Sequence, residues 1–533
     1  MRYRRLLAAV VGCSLIAAAC GGDDADTTDT TVAPDDGATD DTTDDTTDDT
    51  TDAAPAQDGG TLRYGDAVGP SRFDPHLSTI GQDIRFFAPV YDRLVHQKPD
   101  GAFIPGLATD WYFSEDGTEL TFELREGVVF HDGAAFDAEV VKANIERGQN
   151  LEGSSVVGDL TEIEEVEVID EYTVVFKLSQ PNSILPGLLS HRAGSIVSPT
   201  AFDNEDLDLM PVGAGMYRVT EYSVDNRIVY ERFDEYWDDT VVGPDVIELR
   251  ILADDSARIN ALRSGEVDLA ILRGTQIDEA TDAGFNISSA PALTYLVLYL
   301  NRARSEFENP LVRQAVNHAI DREAIVDVVL NGAGDTAVQP YPEGYFAYNP
   351  DFPGDYYEYD PDRSRELLAE AGLEDGFEFE MLATALAVYV QSAEAVQAML
   401  ADVGITANIR QIEPAQSADI YFGQQEGDAL MSQWGGRPDP QMTMDLQFSL
   451  TGFGNPGRHS TELFLELNDA AKQAIDPDER NEILQDAVAE VVEQAFQAPI
   501  AHDHGVFGFS DAVRNFEVLI TGQPNFRVMG ISD

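Results

Sequence analysis

Few side chains in this sequence stand at spacings that chemistry needs. His502-Asp503-His504 is the only close pair among the eight histidines. On a strand, residues i and i+2 point to the same face, so His502 and His504 together offer two imidazoles to a metal. No His-Glu-x-x-His motif and no cysteine cluster accompanies them, and a surface or hinge role is the simpler reading. His131-Asp132-Gly133 sets an imidazole beside a carboxylate, as an acid–base pair would. The same residues after a strand also spell a turn in which glycine takes positive φ. Gly213-Ala-Gly215 lacks the third glycine and the following helix of a dinucleotide fingerprint. There is no P-loop and no Gly-x-Ser-x-Gly elbow. Nothing here calls for a cofactor or a catalytic step. A hydrolase using an unmarked carboxylate pair is the enzymatic alternative.

The most informative stretch is Gln433-Trp434-Gly435-Gly436-Arg437-Pro438-Asp439-Pro440. Trp434 supplies an apolar wall. A guanidinium buried without a partner is costly, so Arg437 calls either for an anion on a ligand, a carboxylate or phosphate, or for a protein carboxylate. Pro438 and Pro440 restrict the backbone around Asp439.

The elements that carry these residues alternate between strand and helix from Gly59 onward. Thr61-Leu-Arg-Tyr-Gly65 opens as a strand, and Glu119-Leu-Thr-Phe-Glu-Leu124 puts Leu120, Phe122 and Leu124 on one face. Tyr172-Thr-Val-Val-Phe-Lys-Leu178, Arg227-Ile-Val-Tyr-Glu231 and Val246-Ile-Glu-Leu-Arg-Ile-Leu252 are also β-rich. Asn309-Pro310 and Asp360-Pro361 each pair an N-cap with proline at the first helical position. Asp321 caps a helix that stops at Asn331-Gly332, and Gly372 closes the one begun at Asp360. The body is mixed α/β, and its 475 residues exceed one ordinary domain.

Composition sets the compartment. Arg2, Arg4 and Arg5 precede a 14-residue apolar run over residues 6–19, which at about 1.5 Å per residue is too short to span a membrane. Residues 1–19 therefore read as a signal peptide. Ala17-Ala18-Ala19-Cys20 resembles the bacterial lipobox, with Ala17 where that motif prefers Leu, and makes Cys20 the lipidation candidate. Both cysteines, Cys13 and Cys20, fall in this segment, so the body relies on its core rather than on disulfides. Residues 23–58 hold 14 Asp and no Lys, Arg or aromatic residue. Such a tract buries nothing and repels itself, so 20–58 reads as a disordered, acidic spacer. The full chain has 97 acidic and 33 basic residues. Without the tract's Asp and the three leading Arg the body keeps 83 and 30, a net of −53. That charge opposes binding of nucleic acid or of an anionic membrane through the body, and a salt-rich habitat would screen it.

Pro105-Gly-Leu-Ala-Thr-Asp-Trp111, Ser114-Glu-Asp-Gly117 and Leu124-Arg-Glu-Gly-Val-Val-Phe-His-Asp-Gly133 resemble the hallmark of a known class. That class is the dipeptide/oligopeptide/nickel class of bacterial extracellular solute-binding proteins. Phe136-Asp-Ala-Glu-Val-Val-Lys142, Pro211-Val-Gly-Ala-Gly-Met-Tyr217, Tyr236-Trp237, Asn309-Pro-Leu-Val-Arg-Gln-Ala315, Tyr359-Asp-Pro361 and residues 367–372 follow in family order. The resemblance implies a two-lobed, periplasmic-binding-protein-like (class II) α/β fold that closes on a solute by a hinge motion. The first lobe would be 59–294 plus 505–533, with an extra subdomain near 90–205, and the second lobe 295–504. It implies a monomeric, lipid-tethered, extracytoplasmic component of an ATP-driven importer, working with permease and ATPase subunits and carrying a peptide-like solute. A metal or metal-chelate cargo, as in nickel-binding relatives, is the alternative. In the peptide binders the loop equivalent to 434–439 presents a Trp and, three residues on, an Asp for the peptide's ammonium. Here Arg437 takes that place, with Asp439 two residues later. The ligand-binding candidates are Trp434, Gly435, Gly436, Arg437 and Asp439, then Ser71, Arg72 and Phe73 from the first lobe and Tyr341 from the second.

Overall fold

A computed structural model describes residues 59–80 and 83–532. The signal segment, Cys20 and the acidic tract lie outside the described residues. One eleven-stranded sheet runs through the body. From one edge its order is Ile405–Ile412, Phe377–Thr384, Ala429–Trp434, Asn286–Leu300, Gln497–Phe509, Leu269–Ile271, Thr61–Asp66, Val246–Ile251, Arg227–Arg232 and Tyr217–Ser223. Gly334–Thr336 adds to Gln497–Phe509 off this path.

Two strands hold this sheet together. Asn286–Leu300 has 15 residues and Gln497–Phe509 has 13. Their first halves, in space, pair Asn286 with Phe509 through Pro291 with His504, and their second halves pair Tyr295 with His502 through Tyr299 with Gln497. The ladder is irregular between Pro291 and Tyr295 and again between Leu296 and Val297. Each side of that junction builds its own core. On one side Tyr64, Phe87, Tyr230 and Leu249 pack together; on the other Leu298, Val316, Met381 and Val396 do. This is the two-lobed class II arrangement, and each fully buried Leu, Val or Met contributes about 1.5–3 kcal/mol.

A third core belongs to a separate four-stranded antiparallel sheet, ordered Ala108–Phe113, Glu119–Leu124, Thr173–Leu178, Ile163–Asp170. Leu120, Phe122 and Leu124 are buried while Glu119 and Glu123 are exposed, as a period of two dictates. Helix Ala138–Asn150 covers the sheet, with Asp137 accepting from Val140 N at its start.

Helix ends follow local chemistry. Asn309 Oδ1 accepts from Leu311 N at 3.0 Å with Pro310 at the first helical position. Asp360 Oδ1 accepts from Asp362 and Arg363 N, and Gly372, at φ 77°, ends that helix. Gly133 takes φ 83° in the His131 turn. A Cβ on Gly213 or Gly215 would strike the Val90 backbone, so these glycines serve close packing. No helix among the described residues is long and apolar enough to cross a membrane.

Candidate functional site

A cavity of about 460 Å³ opens where the loop after strand Ala429–Trp434 faces the four-stranded unit, beside the junction of the crossing strands. That volume suits a ligand of a few residues. Leu293 and Thr294, the residues freed from the ladder between Pro291 and Tyr295, form part of its wall. Thr521 and Gln523 of the carboxy-terminal segment close another side.

Arg437 enters this space from the loop. Gly436 passes so close to the crossing strand that a Cβ there would lie 2.0 Å from Leu293 Cβ, whereas Gly435 faces open space. The Arg437 guanidinium lies over the Trp434 ring at 4.8 Å and donates to the carbonyls of Gly435 at 2.9 Å and Gly436 at 3.3 Å. Trp434 is buried, and its Nε1 donates to Thr443 Oγ1 at 3.3 Å. The indole thus acts beneath the arginine, as a platform that fixes it by cation–π contact. Pro438 carries the loop onward, and its carbonyl accepts from Gln97 Nε2 at 2.8 Å.

The opposite wall brings Arg192 and Asp159. Arg192 follows the short helix Leu185–Leu189 and donates through Nη1 to the carbonyl of Ser78, while its buried Nε has no partner among the described residues. Asp159 sits on the loop between helix Ala138–Asn150 and strand Ile163–Asp170. Among the described residues no carboxylate comes within 4.0 Å of the guanidinium nitrogens of Arg437 or Arg192. Burial pulls the pKa of both arginines below the ordinary value, and at Arg437 the neighbouring charge of Arg192 adds to it. Burial pushes Asp159 upward and holds His191 down at about 3, so that imidazole is neutral. The lining thus carries two guanidiniums against one carboxylate, an inversion of the overall composition. Chemically it can hold an anion by charge-assisted hydrogen bonds.

Several residues expected at the site lie elsewhere. Asp439 is fully buried, pairs with Arg480 at 2.6 Å and caps helix Pro440–Phe448 through Gln441 N at 2.8 Å. It points into the protein because the helix start claims its side chain. Phe73 is inserted in the first core against Tyr222, Ser71 is bound by Asp83, and Arg72 lies on the surface 3.5 Å from Asp208. The cavity is reached instead by Thr79 and Ile80, several residues further along the same segment. Tyr341 is buried, donates to the carbonyl of Pro440 at 2.7 Å and lines a different cavity. His502 is buried against the Tyr295 ring and held at about 4 by burial. His504 lies 3.0 Å from Asp335 and 2.8 Å from Ser289 Oγ. The described residues contain no group of three or more metal-ligating side chains. Asp159, Arg192, Ser155 and Gln523 carry no motif; only the fold collects them.

The model of the bacterial extracellular solute-binding proteins, family 5 Middle, matches residues 102–455. The chain is 30% identical over 513 residues to the dipeptide-binding protein of Escherichia coli K12, covering 88% of this chain and 94% of that protein. It is 32% identical over 318 residues to the glutathione-binding protein GsiB of Salmonella paratyphi A, covering 58% and 62%. Among solved structures, the periplasmic binding protein DppA of Helicobacter pylori, an ABC transporter-associated protein in complex with the peptide STSA, superposes with a TM-score of 0.74. That match has 26% identity and covers 89% of this chain and 99% of that one.

Proposed function

Because the chain belongs to the bacterial extracellular solute-binding proteins of family 5, we propose that it captures a short peptide or related organic anion beside Arg437 and delivers it to an ATP-driven importer. The observation that carries the anionic part is the pair Arg437 and Arg192, two half-buried guanidiniums lining one cavity without a carboxylate partner among the described residues. Desolvated positive charge is unfavourable until an anion meets it, so ligand carboxylate supplies what the protein withholds. The relatives named for dipeptide and glutathione bind molecules with free carboxylates, which agrees with this chemistry.

In this reading Trp434 stacks beneath Arg437, Gly435 leaves room for the ligand, and Gly436 lets the loop seat on the crossing strand. The described residues divide into lobes at the junction near 291–295 and 502–504, and 90–205 forms the added subdomain. The ligand leaves as it came, and ATP hydrolysis belongs to the partner subunits. Cys20 serves as the lipid tether on the extracytoplasmic face, residues 23–58 as a spacer of up to about 120 Å, and the body works as a monomer.

The test starts from a tripeptide chosen by native mass spectrometry out of a random-sequence library. In calorimetric titration with that peptide, Arg437→Ala should weaken binding by about 2–5 kcal/mol, the cost of removing one partner of a desolvated charged pair. An unchanged dissociation constant contradicts the assignment.

A further inference from the structure

We propose that Asp159 reads a cationic group on the ligand, so that the cleft selects zwitterions, with their carboxylate toward Arg437 and their ammonium toward Asp159. This rests on the binding reading above and adds to it a polarity and a narrower ligand class, molecules with a free amine as well as a free acid.

Asp159 is the one carboxylate among the described residues lining the cavity. Its loop is anchored, since Val156 and Leu160 on either side are fully buried in the core of the four-stranded unit and Asp159 N donates to the carbonyl of Val156 at 3.1 Å. The backbone that carries the carboxylate is therefore held beside the cavity. Three other secluded carboxylates of the body each have a side-chain partner: Asp74 pairs with Arg147 at 2.6 Å, Asp439 with Arg480 at 2.6 Å, and Asp92 accepts from Trp237 Nε1 at 2.6 Å. Asp159, by contrast, accepts no hydrogen bond from a described side chain and has no cation within 4.0 Å. Ser155, on the same loop, gives its hydroxyl to the carbonyl of Ser78 at 2.5 Å.

Arg192 and Arg437 are close enough to favour its charge but too far to pair with it, and burial still leaves the carboxylate disfavoured. A counter-ion for the two arginines would sit against one of them. A carboxylate standing apart from both suits a ligand that brings its own positive charge. A purely anionic ligand would meet repulsion on this side of the cavity and attraction on the other, so the lining distinguishes the two ends of a zwitterion.

The experiment uses the random tripeptide library in two forms, with free and with acetylated amino termini, offered together to the full-length protein and read by native mass spectrometry. The wild type should hold free-amine peptides over acetylated ones by roughly tenfold or more, the scale of one charge-assisted hydrogen bond. Asp159→Asn, which keeps shape and volume, should hold both forms alike. Equal retention by the wild type, or a preference that survives in Asp159→Asn, overturns the assignment of Asp159 while leaving the peptide reading intact. Retention of neither form overturns the peptide reading, and the assignment with it.

Discussion

At Asp439 the carboxylate is sealed from water, bound to Arg480 at 2.6 Å and spent on a helix cap, while two residues earlier Arg437 faces the cavity without an acid. The two positions should therefore fail differently. Asp439→Ala leaves Arg480 buried and unpaired, at a cost of about 3–5 kcal/mol of stability. Thermal or denaturant unfolding should show this loss, and a variant that unfolds like the wild type would contradict it. Arg437→Ala should instead leave unfolding nearly unchanged and weaken binding. Sequence distinguished these residues only partly. That Arg437 calls for a ligand anion or a protein carboxylate was legible from its type and neighbours. That Asp439 turns inward was not, because its partner Arg480 lies 41 residues away and joins it only through tertiary packing.

Among the elements, the crossing strands decide where the site can be. Strands with strict alternation, such as Glu119–Leu124, and helices with an Asn-Pro or Asp-Pro start stood out in the sequence because their causes are local. The junction was hidden, since an irregular ladder between 291 and 297 depends on the partner strand. The cavity wall was hidden for the same reason. Thr79, Asp159, Arg192 and Gln523 come from four separate segments, and the loop at 71–73 reads like a ligand loop although Phe73 is core. The junction also carries Asp503, whose carboxyl is pushed up to about 7 by burial. A raised carboxylate pKa means that the folded state keeps a proton the unfolded chain has lost. Stability is thus diminished progressively as pH rises from about 3.8 to about 7, and levels off above that. Asp503→Asn removes the penalty. Its stability relative to wild type should grow across that window in denaturant titrations at stepped pH, and a gap independent of pH would contradict the argument.

Over the whole molecule, a body with a net charge of −53 repels itself, and the cavity is a local exception lined by two arginines and one aspartate. Raising salt from 0.01 to 1 M contracts the screening length from about 30 Å to about 3 Å. Surface ion pairs weaken under this screening, but acids outnumber bases by 97 to 33, so relief of repulsion should win and the thermal midpoint should rise. A flat or falling midpoint would mean that paired charges dominate. The acidic surface also makes the cleft selective by contrast: an anion approaching elsewhere is repelled, whereas Arg437 and Arg192 offer it positive charge without a carboxylate partner among the described residues, in a cavity of ligand size. The most direct measurement of that claim is native mass spectrometry of the protein offered one tripeptide library in free-acid and carboxy-amidated forms. The account predicts one peptide per chain, the free acid held strongly over the amide, and a discrimination that collapses in Arg437→Ala. Equal retention of acid and amide by the wild type would contradict it.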